Sequence, residues 1–153
     1  MPLGLLFKDL ETIEKYNAKF MQAEDFPCQF DLAVMDVSFI SQTLIHKALS
    51  GVLDEGAIFI SLIKPQFEAG KENVGKKGVV RDPKIHQMVL DNFVSLVNSL
   101  GFSILGLTFS PVKGPEGNIE FLAHLSLDDV PGIRPDTAVV VQQAHDTLDK
   151  GAI

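Results

Sequence analysis

Short apolar runs alternate along the chain with stretches in which apolar residues recur at helical spacing. Phe30–Val37 and Ala57–Ile63 have the length of buried strands, and the second is continuous enough for a strand covered on both faces. Between these runs, the apolar residues from Ile40 to Val52 follow a helical period. A chain that alternates in this way favours an α/β fold built on an open and mostly parallel sheet.

The second half of the chain continues this alternation and then departs from it. Asp82 and Pro83 suit the first positions of a helix, and Gly101 suits its stop. Two apolar runs, Phe102–Phe109 and Ile119–Leu127, then follow each other with only a Pro- and Gly-rich connection between them. We predict that these two strands pair antiparallel, so that the last strand of the sheet runs against the others.

The length and composition suit one domain of ordinary size. The chain has 153 residues, of which 46% are hydrophobic, so it can bury a real core. We predict a domain over residues 1–130, and a linker and C-terminal helix over residues 131–153. Cys28 is the only cysteine, and no apolar run approaches the length of a membrane span. These features predict a cytoplasmic protein without a membrane partner.

A charged residue stands near one end of three of the predicted strands. Asp36 and Lys64 lie at or near the ends of the first two runs, and Glu120 lies near the start of the last one. Ligands of open α/β sheets bind at the carboxyl ends of the parallel strands, and an antiparallel strand starts at that same edge. We therefore predict that these three side chains meet at one rim of the sheet.

Two interpretations of this rim are open. Buried charges persist when they are paired, so the three residues would serve as a structural ion network. Alternatively, they would orient a hydroxyl group and help to remove its proton. Lys64 would act as a base only if burial or a second cation lowered its pKa, and the two carboxylates oppose that shift. As an ammonium ion it would instead stabilise a developing alkoxide.

A polar loop over residues 65–82 concentrates positive charge on an acidic chain. The formal net charge is −7, yet residues 64–84 hold six of the 13 basic residues and only three of the 20 acidic ones. The loop is either a solvated surface segment or a surface that meets phosphate groups. On the second interpretation, its RNA-binding candidates are Lys71, Lys76, Lys77 and Arg81.

Two further motif types do not support a site. Gly70, Gly75 and Lys76 have the spacing of a phosphate-binding P-loop, but Lys77 stands where Ser or Thr would bind magnesium. The histidines do not stand at the spacing of metal ligands, so we predict no metal site. We expect His86 on the surface of its helix.

Four motifs, in order along the chain, carry a resemblance to a known family. They begin at Asp36 (DVSFIS), Lys64 (KPQFEAG), Val74 (VGKKGVVRDP) and Gly114 (GPEGNIEFL). Over residues 30–127 the chain resembles the hemolysin A (TlyA)-type proteins, which belong to the FtsJ-like ribosomal RNA methyltransferases.

This resemblance implies a Rossmann-like methyltransferase that moves a methyl group from S-adenosylmethionine to a ribose 2′-hydroxyl. The catalytic set of the family is Lys-Asp-Lys-Glu, and Asp36, Lys64 and Glu120 match its second, third and fourth members. Asp36 and Ser38 are also candidates for contact with the cofactor. The implied partner is ribosomal RNA or a ribosomal subunit.

The chain departs from the family pattern near its start. The first catalytic Lys, the Gly-rich loop that holds the cofactor and the small S4-like RNA-binding domain have no counterpart in residues 1–25. We therefore expect a partial methyltransferase domain that lacks its N-terminal portion and is inactive by itself. Its sheet would expose an open edge, which predicts a homodimer or coverage of that edge by residues 1–25.

Two other functions stand beside the enzyme as alternatives. The chain would be a non-catalytic RNA- or ribosome-associated binding module if it acts only as a scaffold. It would be a membrane-active hemolysin if the historical name of the resembling proteins describes a direct activity. The sequence offers no amphipathic basic helix for this last function.

Overall fold

Four strands form a single mixed sheet in the computed structural model, which describes residues 13–149 without the side chains of residues 40–42 and 47. The strands are β1 Phe30–Met35, β2 Leu53–Ile63, β3 Ser103–Phe109 and β4 Phe121–Ser126. Their order across the sheet is β1-β2-β4-β3. β1 and β2 run parallel, whereas β4 runs antiparallel to both of its neighbours. The predicted sheet, mostly parallel with a reversed last strand, is confirmed.

The helices are α1 Phe39–Val52, α2 Pro65–Glu68, α3 Pro83–Ser99 and α4 Thr137–Leu148. Short 3₁₀ turns lie at Ala18–Phe20, Ala23–Asp25 and Lys71–Asn73. Residues 65–82, expected as one loop, therefore contain α2 and a 3₁₀ turn. Pro65 is the first residue of α2. A backbone N–H at this position would have no hydrogen-bond partner within the helix, so the N–H that proline lacks is not needed. Among residues 13–149, no helix has both the length and the apolar character needed to cross a bilayer.

The boundaries of α3 follow directly from its sequence. The side chain of Asp82 accepts a hydrogen bond of 2.9 Å from the backbone N–H of Lys84, and Pro83 takes the first helical position. Gly101 follows the helix with a φ of +86°, a conformation that glycine adopts without strain. The helix buries a stripe formed by Val89, Leu90, Phe93 and Val97.

α1, α3 and α4 pack on the same face of the sheet. Their buried side chains join those of Phe59 and Ile63 on β2 in one core. Phe39 of α1 lies 5.4 Å from Phe93 of α3 between ring centroids, and Phe59 lies 5.5 Å from Phe102. Burial of each such large side chain stabilises the fold by roughly 1.5–3 kcal/mol.

The predicted C-terminal helix is present as α4. Asp136 caps it, because its side chain accepts a hydrogen bond from the backbone N–H of Val139. Val140, Val141 and Ala144 are buried in the core that α3 and the sheet also share. The domain boundary at residue 130 stays a prediction. α4 follows that boundary in the chain and packs on the sheet, whose strands all precede it.

The opposite face of β1 and β2 is not covered by any of the described helices. Val34 is 70% exposed, and Leu32 and Ile58 on the same face are also exposed. The sequence predicted β1 as a buried strand and β2 as covered on both faces. For the described residues this is wrong, because all three long helices lie on the side of Phe59 and Ile63.

β1 also forms one edge of the sheet, since its single neighbour among the described strands is β2. Residues 13–25 contain two 3₁₀ turns and no strand that would cover this edge, and residues 1–12 lie outside the described part of the chain. The homodimer predicted from an open edge stays a prediction. Sedimentation of the 153-residue chain would measure it.

Candidate active site

The three charged residues at the strand ends lie at one rim of the sheet. Asp36 directly follows β1, Lys64 directly follows β2, and Glu120 directly precedes β4. The pairing of Ile63 with Phe121 brings the end of β2 beside the start of β4. The Nζ of Lys64 donates a hydrogen bond of 2.9 Å to Oδ2 of Asp36. The strand directions thus produce the rim expected from the sequence.

Lys64 is held as an ammonium ion. The hydrogen bond to Asp36 raises the pKa of Lys64 above its ordinary value, the negative charges of Asp36 and Glu120 add to this, and partial burial opposes it. A group in this state is a poor proton acceptor at neutral pH. It is well suited to stabilise a negative charge that develops on a bound oxygen atom.

Two clefts meet at Lys64. The first, the Asp36 cleft, has a volume of about 240 Å³ and is lined by Asp36, Val37, Ser38, Lys64, Phe67 and Glu68. The second, the Glu120 cleft, has a volume of about 410 Å³, and its lining includes Lys64, Gln66, Phe67, Asn118 and Glu120. Lys64 lines both clefts. Two ligands bound one in each cleft would therefore meet near Lys64.

Two neighbours fix the buried carboxylate of Glu120. The Nε2 of Gln66 donates a hydrogen bond of 3.2 Å to Oε1 of Glu120. Gly114, six residues before Glu120 in the chain, lies very close to this carboxylate. A Cβ atom at position 114 would stand 2.6 Å from the same oxygen. Glycine at position 114 therefore provides the space that this carboxylate occupies.

Glu68 connects the segment after β2 to the segment after β1. Its Oε1 accepts a hydrogen bond of 3.0 Å from the backbone N–H of Phe39, the first residue of α1. The first N–H groups of a helix have no partner within the helix, so this carboxylate acts as a cap supplied from elsewhere in the chain. Burial raises the pKa of Glu68, and the hydrogen bond from Phe39 opposes that rise.

The basic loop, residues 71–81, forms a third cleft of about 550 Å³. Its lining includes three of the four predicted RNA-binding residues, namely Lys76, Lys77 and Arg81. Lys71 lies in the 3₁₀ turn at the start of the loop and does not line this cleft. Val74 lines both the third cleft and the Glu120 cleft, so the two lie side by side. Two acidic side chains also line the third cleft, Glu72 and Asp82.

Asn118 ties the basic loop to the segment that carries Glu120. Its buried side chain accepts a hydrogen bond of 2.9 Å from the backbone N–H of Val80 and donates one of 2.8 Å to the carbonyl oxygen of Gly78. Asn118 stands only two residues before Glu120. The end of the basic loop is therefore fixed relative to the rim.

Replacing Asn118 by alanine should release this end of the loop. The buried N–H of Val80 would lose its partner, so the free energy of unfolding should fall by about 2 kcal/mol. Urea unfolding measures the loss, and amide hydrogen exchange at Val80 should become faster. Asn98→Ala, on the exposed surface of α3, is the matched control. Unchanged exchange at Val80 in the Asn118 variant would contradict this account.

A chain of hydrogen bonds holds the same loop end from another side. The Nε2 of buried His86 lies 3.1 Å from the carbonyl oxygen of Val80, and its Nδ1 lies 2.9 Å from Nε2 of His145. Asp149 accepts hydrogen bonds from Nδ1 of His145 at 2.7 Å and from Nζ of Lys113 at 2.8 Å. Burial and the neighbouring His145 lower the pKa of His86 to about 4. His86 is therefore neutral at pH 7 and donates to Val80 through Nε2.

The prediction that His86 lies on the helix surface is wrong. His86 stands three and four residues before Val89 and Leu90, so it shares their face of α3 and is buried with them. That spacing was available in the sequence, whereas the partner His145, 59 residues away, was not. Among residues 13–149, no three His, Cys, Asp or Glu side chains are grouped to hold a metal ion.

Four residues with structural roles at the site lie within the quoted motifs, but no role is predicted for any of them from the sequence. They are Gln66, Glu68, Gly114 and Asn118. Each acts through a contact made across at least 29 residues of chain or through a close approach in space. Their polar or small character beside the three charges was the one signal available.

Comparison with known proteins gives this arrangement a context. The model of the FtsJ-like methyltransferase family matches residues 5–127 of the chain. The chain is 42% identical over 145 residues to the Bacillus subtilis protein named "Putative rRNA methyltransferase YqxC", covering 90% of this chain and 51% of the relative. It is 37% identical over 114 residues to the Mycobacterium tuberculosis protein named "16S/23S rRNA (cytidine-2'-O)-methyltransferase TlyA", covering 74% and 42%.

A solved structure is also similar over most of the chain. The structure titled "Putative hemolysin from Streptococcus thermophilus" superimposes with a TM-score of 0.80 at 42% sequence identity. The match covers 92% of this chain and 52% of that one. The chain therefore spans about half the length of the relatives that it matches.

Proposed function

Because the chain belongs to the FtsJ-like methyltransferase family, we propose that it supplies the catalytic rim of an enzyme that methylates a ribose 2′-hydroxyl of ribosomal RNA in the cytoplasm. One relative is named as an rRNA methyltransferase and another as an rRNA (cytidine-2′-O)-methyltransferase, which supports the substrate class. The observation that carries the proposal is the position of Lys64. Lys64 lines two clefts, and Asp36 lines one of them whereas Glu120 lines the other.

The Asp36 cleft fits part of S-adenosylmethionine, which supplies an electrophilic methyl group when it is bound. Asp36 is 54% exposed and offers a negative charge to this positively charged cofactor, and Ser38 offers a hydroxyl beside it. The volume of about 240 Å³ lies below the roughly 300–1,000 Å³ of a complete ligand pocket. The described residues therefore provide one wall of a cofactor site.

In the Glu120 cleft, two side chains act on the hydroxyl that is to be methylated. Glu120 accepts the hydroxyl proton, and Gln66 keeps that carboxylate in place. Lys64 stabilises the negative charge that develops on the oxygen as the proton leaves. A preorganised donor of this kind contributes roughly 10²–10³ to the rate of a reaction that builds up negative charge.

The basic loop gives this cleft an RNA-facing border. Lys71, Lys76, Lys77 and Arg81 are exposed, and we assign them to contacts with phosphate groups. The hydrogen bonds of Asn118 keep the loop at a fixed place beside Glu120. Phosphate contacts made by the loop would therefore position the RNA relative to the rim.

The 153-residue chain by itself should bind S-adenosylmethionine only weakly. The described residues provide one wall of the site, which leaves much of the cofactor in water. Calorimetry should therefore show a dissociation constant weaker than about 1 mM. A dissociation constant in the low micromolar range would contradict the account of an incomplete cofactor site.

A hybrid enzyme tests the proposed function. In this hybrid, residues 30–127 of the chain replace the matching segment of the Bacillus subtilis relative, which supplies the rest of the domain. Purified hybrid, ribosomal subunits and radiolabelled S-adenosylmethionine should yield a 2′-O-methylated nucleoside after digestion of the RNA. A hybrid that folds and binds both substrates but transfers no methyl group would overturn the proposal.

The basic loop favours a second candidate function, because exposed Lys76, Lys77 and Arg81 would bind RNA phosphates without any methyl transfer. The chain would then act as a non-catalytic module bound to RNA or the ribosome. An inactive hybrid whose 153-residue parent still binds ribosomal subunits is the result that this candidate predicts.

A further inference from the structure

Phe67 is an exposed aromatic side chain at the meeting point of the two clefts. It is 69% exposed and stands in α2, three residues after Lys64. The Nζ of Lys64 lies 5.7 Å from the centroid of its ring. Phe67 lines the Asp36 cleft and the Glu120 cleft, as Lys64 does. An aromatic face with a cation beside it is therefore presented where the two clefts join.

An exposed ring is not unusual in itself, since folded proteins expose many apolar side chains singly. Phe20 is a direct comparison within this chain. It is 66% exposed, and the Nζ of Lys19 lies 4.6 Å from its ring centroid, but it lines neither cleft. Phe67 differs from Phe20 because it lines two clefts that also contain the charged residues Asp36, Lys64 and Glu120.

The residue before Phe67 carries an unsatisfied hydrogen-bond acceptor. The Nε2 of Gln66 donates to Glu120, whereas its Oε1 is buried and has no hydrogen-bond partner among the described residues. Turning the amide over would bring Oε1 against the carboxylate of Glu120, so the orientation is fixed. Buried acceptors are normally paired, and an exception at a site points to a donor that arrives with a ligand.

We propose that Phe67 is the stacking surface for the base of the target nucleotide, and that Gln66 Oε1 accepts a hydrogen bond from that nucleotide. This inference rests on the proposed function and names two residues that would recognise its substrate. A nucleotide in unpaired RNA has a flat π-face for the ring of Phe67 and O–H or N–H donors for Gln66. The nearby ammonium of Lys64 strengthens contacts with such faces.

Stacking is tested with the 153-residue chain and a nine-nucleotide single-stranded RNA that carries the fluorescent base 2-aminopurine at its centre. Wild-type protein should quench the fluorescence as the base stacks. Phe67→Leu should weaken binding about 5- to 150-fold and remove the quenching, whereas Phe67→Tyr should retain both. Phe67 is exposed, so these variants should keep the fold. Phe20→Leu makes the same change at the matched position and should bind as the wild type does.

Gln66→Met tests the second contact. Methionine keeps the length of the side chain but removes the strong acceptor, so RNA binding should weaken about fivefold. Because the substitution also removes the hydrogen bond to Glu120, Gln66→Asn serves as a second variant that keeps a neutral amide, with both an N–H donor and an oxygen acceptor, at this position. It should bind RNA more tightly than Gln66→Met. Equal affinities for the wild type and Gln66→Met would remove Gln66 from the inference.

The outcomes separate this inference from the proposed function. If Phe67→Leu binds and quenches as the wild type does, while a Lys76→Met, Lys77→Met double variant binds more weakly, the stacking role is overturned and the RNA-binding function stands. If the wild type binds the RNA without any quenching, the stacking role is likewise overturned. Absence of RNA binding by the wild type at low salt would overturn both the stacking role and the role of the basic loop.

Discussion

Replacing Lys64 by methionine should slow methyl transfer by the hybrid enzyme about 10²–10³-fold. Methionine keeps most of the length of the side chain but removes the ammonium ion, whose pKa the hydrogen bond to Asp36 raises. The negative charge that develops on the ribose oxygen would then lack its counter-charge. Single-turnover rates with radiolabelled S-adenosylmethionine and saturating ribosomal subunits measure the effect on the chemical step.

Two further variants show whether the effect belongs to the charge at this position. Lys64→Arg keeps a cation and should retain more activity than Lys64→Met. Lys84→Met removes an exposed lysine at the start of α3 and should leave the rate unchanged. A Lys64→Met hybrid that transfers methyl groups at the parental rate would show that the ammonium ion has no part in the reaction.

Lowering the pH from 6.5 to 4 should destabilise the protein through His86. In the unfolded chain a histidine takes up a proton near pH 6.5, whereas burial and His145 hold the pKa of folded His86 at about 4. The unfolded state therefore binds more protons over this window, and the free energy of unfolding falls as the pH decreases. The loss due to His86 is at most about 3 kcal/mol and is complete below pH 4.

Urea unfolding of the wild type and His86→Gln at pH 7.0, 5.5 and 4.5 measures this contribution. The variant should be less stable at pH 7.0, because glutamine does not reproduce both hydrogen bonds of the imidazole, but its stability should fall less steeply with acid. Burial also lowers the pKa of His46 in both proteins, so the difference between their slopes is the quantity of interest. Equal slopes for the wild type and His86→Gln would contradict the prediction.

The parts of the fold that the sequence predicts are those governed by local chemistry. The start of α3 at Asp82 and Pro83 and its stop before Gly101 depend on neighbouring residues, and both are confirmed. The positions of Asp36, Lys64 and Glu120 also follow from local patterns, since each stands at the end of a strand whose direction can be inferred. The rim of the site is therefore readable from the sequence.

The parts that the sequence does not predict depend on partners distant in the chain. β1 has apolar residues on both faces, which predicted burial, yet Val34 faces the side without a described helix. The bond between Asn118 and Val80 spans 38 residues, and that between Gln66 and Glu120 spans 54. No periodicity or motif spacing encodes such pairs. These hydrogen bonds form only because the folded sheet brings distant segments together.

The role of Lys64 is tested by a distance in a complex of the hybrid enzyme with its RNA substrate and a cofactor analogue that transfers no methyl group. We expect the Nζ of Lys64 to lie about 3 Å from the 2′-oxygen of the target ribose, within hydrogen-bond reach. We also expect this oxygen to lie between the Asp36 cleft and the Glu120 cleft. A target ribose bound on the uncovered face of β1 and β2, away from Lys64, would contradict it.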